Sequence, residues 1–249
     1  MTNALQLNLF ILLWFSHALA DFPLQTNTIF RLKVKHIWGI FVHALIFLAI
    51  AIVFTYPVSI KSLLFIIWLI VVFLSHVLFD KIKLVFSHNI IQKELQYFIL
   101  DQLLHIGALA TIFLLPLNLN PTLLEQNIVL QELQKAMLVK DLRTFIVYAF
   151  VGIIFIYATY AIDVILYYYD RTINTKLQKL KYNLISMFYR GLIVLLFITS
   201  FYWLSILLIP VNYFINKMTL IYDKRRFIIE STLIIILLMT LMIGSRGLL

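Results

Sequence analysis

The sequence predicts an all-α fold: a polytopic transmembrane helix bundle of about seven membrane helices plus one amphipathic helix. Three observations predict it. Hydrophobic residues make up 63% of the 249 and charged residues only 12%, about half the quarter that soluble domains carry. Mean hydropathy is +1.00. The apolar residues fall in blocks close to the ~20 that a helix needs to cross a bilayer, and Lys and Arg collect between the blocks.

The first run covers 4–20. Met1 to Asn8 carry no Lys or Arg, His17 lies inside the run, and Asp21, Phe22 and Pro23 follow it directly, so it reads as a permanent helix, not a cleaved signal. Residues 22–36 hold Arg31, Lys33 and Lys35 with no acid and read as a connection. Spans follow at 37–57, 61–79 and 96–115. Pro116, Asn118, Asn120 and Pro121 then break the helix, and Pro121 suits the first turn of a new one. From 122 to 139 apolar residues recur at helical spacing among Glu125, Gln131, Glu132, Gln134 and Lys135, an amphipathic helix on the membrane surface or over the bundle. The last spans are 143–168, 187–210 and 228–244, with Tyr157, Tyr160, Tyr167, Tyr168 and Tyr169 as an interface band. The expected division is 1–116 as a four-helix module, 117–141 as a connector and 142–249 as a three-helix region.

The net charge of +9 points to lipid headgroups and not to nucleic acid, because the basic residues sit between apolar runs. The 170–181 connection has Arg171, Lys176, Lys179 and Lys181 against Asp170. The positive-inside rule then puts the first, third and fifth connections in the cytoplasm and the N-terminus outside, in a multi-pass inner (cytoplasmic) membrane protein. Lys217, Lys224, Arg225 and Arg226 against Asp223 spoil the count in the sixth connection. Either one late helix is re-entrant, or 211–227 lies along the interface. The absence of cysteine excludes disulfides, thiolate ligands and a thiol nucleophile.

The chemistry lies in three His–Asp pairs at i,i+4 spacing: His17 with Asp21, His76 with Asp80, and Asp101 with His105. Each pair presents both groups on one helix face. If the helices alternate in direction, the ends carrying these six residues and His43 share one side. They form a single layer near the cytoplasmic interface. Intramembrane ionisable groups are costly and point to function. Imidazole with carboxylate suits Zn, Mn or Fe, as one or two ions. Asp80 or Asp101 is the candidate general base. Arg31, Lys33, Lys35, Lys81 and Lys83 are the candidates for holding a substrate phosphate or headgroup. The layer is expected to converge on a pocket open to the cytoplasmic interface. His36 and His88 fall in connections, and Gln25 is within reach of the layer. Asp163 and Arg190 pair as a structural couple. The alternative reading of each His–Asp pair is a hydrogen bond that locks helices together.

The run from His17 through Asp21-Phe22-Pro23-Leu24-Gln25, with Lys35, His43, His76-x3-Asp80 and Asp101-Gln102-x2-His105, resembles the bacterial membrane proteins grouped as domain of unknown function 3307, over residues 12–110. A weaker likeness covers 177–246, on Arg190, Lys217 and Glu230-Ser231-Thr232. There the Glu expected before Arg190 and the Gly before Thr232 are missing. The resemblance implies a membrane module and brings no substrate. The sequence has no His-Glu-x-x-His, Gly-rich phosphate loop or Gly-x-Ser-x-Gly elbow, which argues against P-loop chemistry and standard zinc peptidases. A membrane metal-dependent hydrolase of a lipid-linked or phosphate-containing substrate is the leading expectation. A proton- or divalent-cation-coupled transporter and a non-catalytic scaffold are the alternatives. Oligomeric state is not legible.

Overall fold

The computed structural model describes residues 2–89, 93–117, 119–173, 183–219 and 224–248, and every regular element among them is helical. Lys176, Lys179, Lys181, Asn118 and Asp223 lie outside the described residues, as do the side chains of His88 and Lys217. Two compact units divide the chain, Met1–Phe150 and Val151–Gly247. Among the described residues six helices are long and apolar enough to cross a membrane, two of them starting at Leu142 and Lys224.

In the first unit α1 (Thr2–Asp21) packs against α3 (Ile37–Lys61) and α5 (Glu94–Ala110), and α4 (Leu63–Asn89) packs between α3 and α5. Leu9, Leu12 and Leu13 of α1 are buried in this interface. A 3-10 turn, Thr111–Leu114, prolongs α5. The Leu115 and Leu117 amides close on the carbonyls of Ile112 and Leu115, and the buried Gln6 amide donates to the same two carbonyls, at 3.3 and 2.7 Å.

Two expected connections are helical instead. Residues 22–36 contain α2 (Asn27–Lys35), capped by Thr26 and ended by an extended His36. A Cβ on Gly39 would lie 2.1 Å from the Leu32 carbonyl carbon, so only glycine lets α2 fold back this closely onto α3. That turn sends Lys33 inward. The expected span 61–79 is also too short, because α4 continues to Asn89 and takes in the backbone of His88. Continuing the helix keeps Asp80 and Lys83 on faces where both find partners.

The expected helix over 122–139 is split. A 3-10 turn (Pro121–Gln126) and α6 (Ile128–Ala136) meet at Asn127, which caps α6 through the amides of Val129 and Leu130. The physical reason lies in α3. Pro57 has no N–H for the Val53 carbonyl four residues earlier, and the Asn127 amide donates to the carbonyls of Val53 (2.8 Å) and Phe54 (3.0 Å). The connector is thereby fastened over the bundle. At its far end Leu138 takes a left-handed backbone, φ 55°, and the Val139 amide closes on the Gln134 carbonyl, a C-terminal stop made without glycine.

Helix α7 (Leu142–Ile156) continues through a π-helical stretch, Tyr157–Ala161, into α8 (Ile162–Ile173). In the second unit the expected span 187–210 is two helices, α9 (Leu184–Ile198) and α10 (Tyr202–Thr219). Ser200 at φ 69° and the Phe201 amide on the Leu196 carbonyl stop α9. The three-residue turn makes the pair an antiparallel hairpin. Both helices are shorter than the long spans. A hairpin adds two passes or none, so its two open ends face one side. Arg226, in α11 (Lys224–Leu248), pairs with Asp170 of α8 at 2.5 Å. The basic start of α11 thus returns to the end of α8, where Asp170 partners one of the positive charges counted in the sixth connection.

The Asn127 arrangement makes a measurable demand. Asn127→Leu is expected to destabilise the detergent-solubilised protein by about 2–4 kcal/mol, from a lost cap and an orphaned carbonyl. In a Pro57→Ala background the restored N–H takes the Val53 carbonyl and the same substitution costs less. Equal losses in both backgrounds, read from denaturation curves, would show that Asn127 does not compensate Pro57.

Candidate metal centre

Four helices deliver the seven residues to one place: His17 and Asp21 from α1, His43 from α3, His76 and Asp80 from α4, Asp101 and His105 from α5. None is more than 7% exposed. The His17 ring lies 4.8 Å from that of His105 and 5.2 Å from that of His76, and the His76 and His105 rings are 4.2 Å apart between centroids. Three groups of three have ligand atoms within 4.8 Å of one another: His17, His76 and His105; Asp21, His43 and His76; and Asp80, Asp101 and His105. Every member of the layer belongs to at least one group. A tetrahedral ion with bonds of about 2.0–2.2 Å sets ligand atoms about 3.3–3.6 Å apart, so a small inward movement would bring the three atoms of a group to that spacing.

The distances separate this from a set of hydrogen-bonded pairs. Between side chains of the layer, only His43 Nε2 and Asp21 Oδ1, at 3.1 Å, are at bonding distance. The three i,i+4 pairs stand at 3.7 Å (His17–Asp21), 3.5 Å (His76–Asp80) and 3.5 Å (His105–Asp101), too long for satisfied bonds. Both ring nitrogens of His17, Nε2 of His76, Nε2 of His105, Oδ2 of Asp80 and Oδ1 of Asp101 are buried with no hydrogen-bond partner among the described residues. Buried polar atoms in that number are not left unmet without cause. His105 gives the clearest case. Its Nδ1 lies 2.7 Å from the Asp101 backbone carbonyl, a contact that fixes the proton on Nδ1 and leaves Nε2 as a bare donor to a cation. Metal-ligating histidines carry that pattern.

The carboxylates have cationic partners that the sequence did not assign to them. Lys33 Nζ meets Asp80 Oδ1 at 2.5 Å, and Lys33 is 5% exposed. Lys83 Nζ meets Asp101 Oδ2 at 2.7 Å. Both lysines were expected to face headgroups. Instead each is drawn to a carboxylate that an apolar interior would otherwise leave uncompensated. Helical spacing held a signal for Lys83, which follows Asp80 by three residues and His76 by seven. Lys33 had none, because its direction depends on the tight turn at Gly39. Gln102 Nε2 donates to Asp21 Oδ2 at 2.9 Å. Gln25 Nε2 bonds only the Asp21 backbone carbonyl, at 2.7 Å, and so fastens the end of α1.

The centre is closed, not the open pocket expected. Two cavities border it. One of about 310 Å³ reaches it through Lys33 and also meets Lys35 and Lys81. The other, about 230 Å³ and mostly apolar, reaches it through Lys83 and Asp101. Arg31 is exposed on α2 and lines neither.

The second unit has its own buried charges. Arg190 Nη2 donates to Asp163 Oδ1 at 2.6 Å and to the Thr159 carbonyl at 2.9 Å. Arg190 Nη1 donates to Glu230 Oε1 at 2.9 Å. Ser186 and Asn212 donate to the same Glu230 oxygen. The cluster ties together α8 to α11. Sequence reasoning missed Glu230 in it, although Glu230 is the single acid of the last apolar run.

Buried histidines and aspartates able to chelate a metal, inside a bundle of membrane-length helices, define a polytopic membrane protein with the makings of a metal site. The chain belongs to the family described as protein of unknown function (DUF3307), whose model matches residues 9–134. The match contains all seven residues of the layer and most of the connector, and ends inside α6. No curated protein and no solved structure matches the chain.

The lysine partners are testable without any metal. Lys33→Met alone leaves Asp80 buried without its counter-charge and should cost about 3–5 kcal/mol. Lys33→Met with Asp80→Asn should cost less than the two single changes added together, by about 0.5–3 kcal/mol. Additive losses in detergent denaturation would contradict the buried pair.

Proposed function

We propose that this chain is a membrane-embedded metal-dependent hydrolase acting on a lipid-linked, phosphate-containing substrate at the cytoplasmic face of the inner membrane. The observation that carries the proposal is the set of buried imidazole nitrogens left bare, with His105 oriented by the Asp101 carbonyl. His17, His76 and His105 offer three nitrogens to Zn, Mn or Fe, and the other two groups supply a mixed nitrogen and oxygen environment that suits the same ions.

Charge counting favours one ion. Asp21, Asp80 and Asp101 bring three negative charges, and Lys33 and Lys83 return two positive ones. A single divalent ion leaves the centre with one positive charge, which an anionic substrate neutralises. Two ions would leave three positive charges in an apolar surround, a costly state.

When bound, such an ion supplies the Lewis acidity that makes water an effective nucleophile near neutral pH. Asp80 Oδ2 has no hydrogen-bond partner among the described residues, and Lys33 on the other oxygen holds the carboxylate in place. It takes the proton of the attacking water as the new phosphorus–oxygen bond forms. The bond to the lipid alcohol breaks, and the same proton passes to the leaving oxygen. Asp101, held by Lys83, is the second candidate for that role.

Phosphate release from short-chain lipid phosphomonoesters by metal-loaded protein tests the reading. His76→Ala with His105→Ala breaks all three ligand groups at once and should bring release down to the protein-free level. Asp80→Asn should lower kcat by roughly 10²–10⁴-fold. Full activity in the double histidine variant would reject a hydrolase built on this layer. Cation flux in proteoliposomes that vanishes with Asp80→Ala would assign the layer to transport instead.

A further inference from the structure

The cavity between the end of α2, the start of α3 and the middle of α4 has a chemistry of its own. Its polar side is Lys33, Lys35, His36 and Lys81, and its apolar side includes Ile40 and Leu84. Lys33 is spent on Asp80. Lys35 and Lys81 have no carboxylate partner among the described residues, and no acid lines the cavity. The surrounding surface is apolar: Phe30, Leu32 and Val34 of α2 and Trp38 of α3 are exposed, Trp38 by 74%. An amphipathic helix with an exposed tryptophan beside it lies in the headgroup layer of a bilayer.

We propose that this cavity is the binding site for the phosphomonoester headgroup of an anionic lipid, which enters sideways from the bilayer between α2 and α4. The proposal names the substrate class of the hydrolase and rests on that reading. A phosphomonoester carries about −1.5 to −2 charges, which two free ammonium groups match. A zwitterionic headgroup brings its own cation and gains nothing from Lys35 and Lys81. The volume of about 310 Å³ is at the lower end of the roughly 300–1,000 Å³ of small-molecule sites. It admits a phosphate and the glycerol-sized piece beyond it. The apolar wall formed by Ile40 and Leu84 suits the first carbons of the chain. Lys33 joins the cavity to the metal centre, so an anion seated there competes with Asp80 for its ammonium group.

The test is calorimetric titration of full-length protein in detergent with dioctanoyl phosphatidic acid, dioctanoyl phosphatidylcholine and inorganic phosphate. Phosphatidic acid is expected to bind, and Lys35→Gln with Lys81→Gln to weaken it by about tenfold or more at an unchanged melting temperature. Both side chains are exposed, so the double variant keeps the fold. Phosphatidylcholine and inorganic phosphate are each expected to bind about tenfold more weakly than phosphatidic acid, or worse. The proposal is overturned if phosphatidic acid does not bind, if the double lysine variant binds it like wild type, or if phosphatidylcholine equals it. Equal affinity for inorganic phosphate also overturns it and makes a free anion the ligand. Binding retained in wild type without hydrolysis removes the hydrolase reading and leaves the cavity assignment standing. Hydrolysis indifferent to the double lysine change does the reverse.

Discussion

Three carboxylates and four imidazoles placed in a membrane-length bundle have to be neutralised from within, and the first unit is organised by that requirement. Water that would solvate them is excluded by α1, α3, α4 and α5. Lys33 and Lys83 answer two of the carboxylates directly, and His43 and Gln102 answer the third. What is left is one negative charge and several bare imidazole nitrogens. A divalent cation would answer both at once.

Other features of the fold serve that requirement at a distance. The glycine at 39 lets α2 close on α3 and turns a lysine inward that would otherwise anchor at the surface. Pro57 disrupts α3 above the layer, and the connector repairs the disruption through Asn127. Gln6 closes the far end of α5. Each device satisfies a backbone or side-chain group that a lipid environment would leave unpaired. Together they hold the four helix ends in register. The second unit solves the same problem differently: Arg190 is met by two carboxylates and the Thr159 carbonyl, and Ser186 and Asn212 donate to one of those carboxylates, Glu230, with no cluster of imidazoles.

Much of this was legible in the sequence, and what was not has physical causes. The i,i+4 pairs and alternating helices were enough to bring His17, Asp21, His43, His76, Asp80, Asp101 and His105 into one layer, because period and direction are local properties. Hydropathy located the long helices for the same reason. It ran α9 and α10 together, since Thr199 and Ser200 interrupt the apolar run only briefly and a left-handed serine stops the helix without a glycine to mark it. Charge composition sent Lys33 and Lys83 to the headgroups. Their true partners are set by tertiary packing, visible in spacing for Lys83 and not at all for Lys33. Glu230 stands beside Arg190 in the weaker family likeness but its pairing was not legible, because its partners lie on helices 18 to 44 residues away in the chain.

X-ray absorption at the metal edge, on full-length protein purified without chelators and loaded with zinc, addresses the central claim most directly. The account predicts about one ion per chain in a shell of nitrogen and oxygen at about 2.0–2.2 Å, with outer-shell scattering from imidazole rings, absent from the His76→Ala with His105→Ala variant. A wild-type protein that holds no stoichiometric metal, or whose metal lacks imidazole scattering, would contradict it.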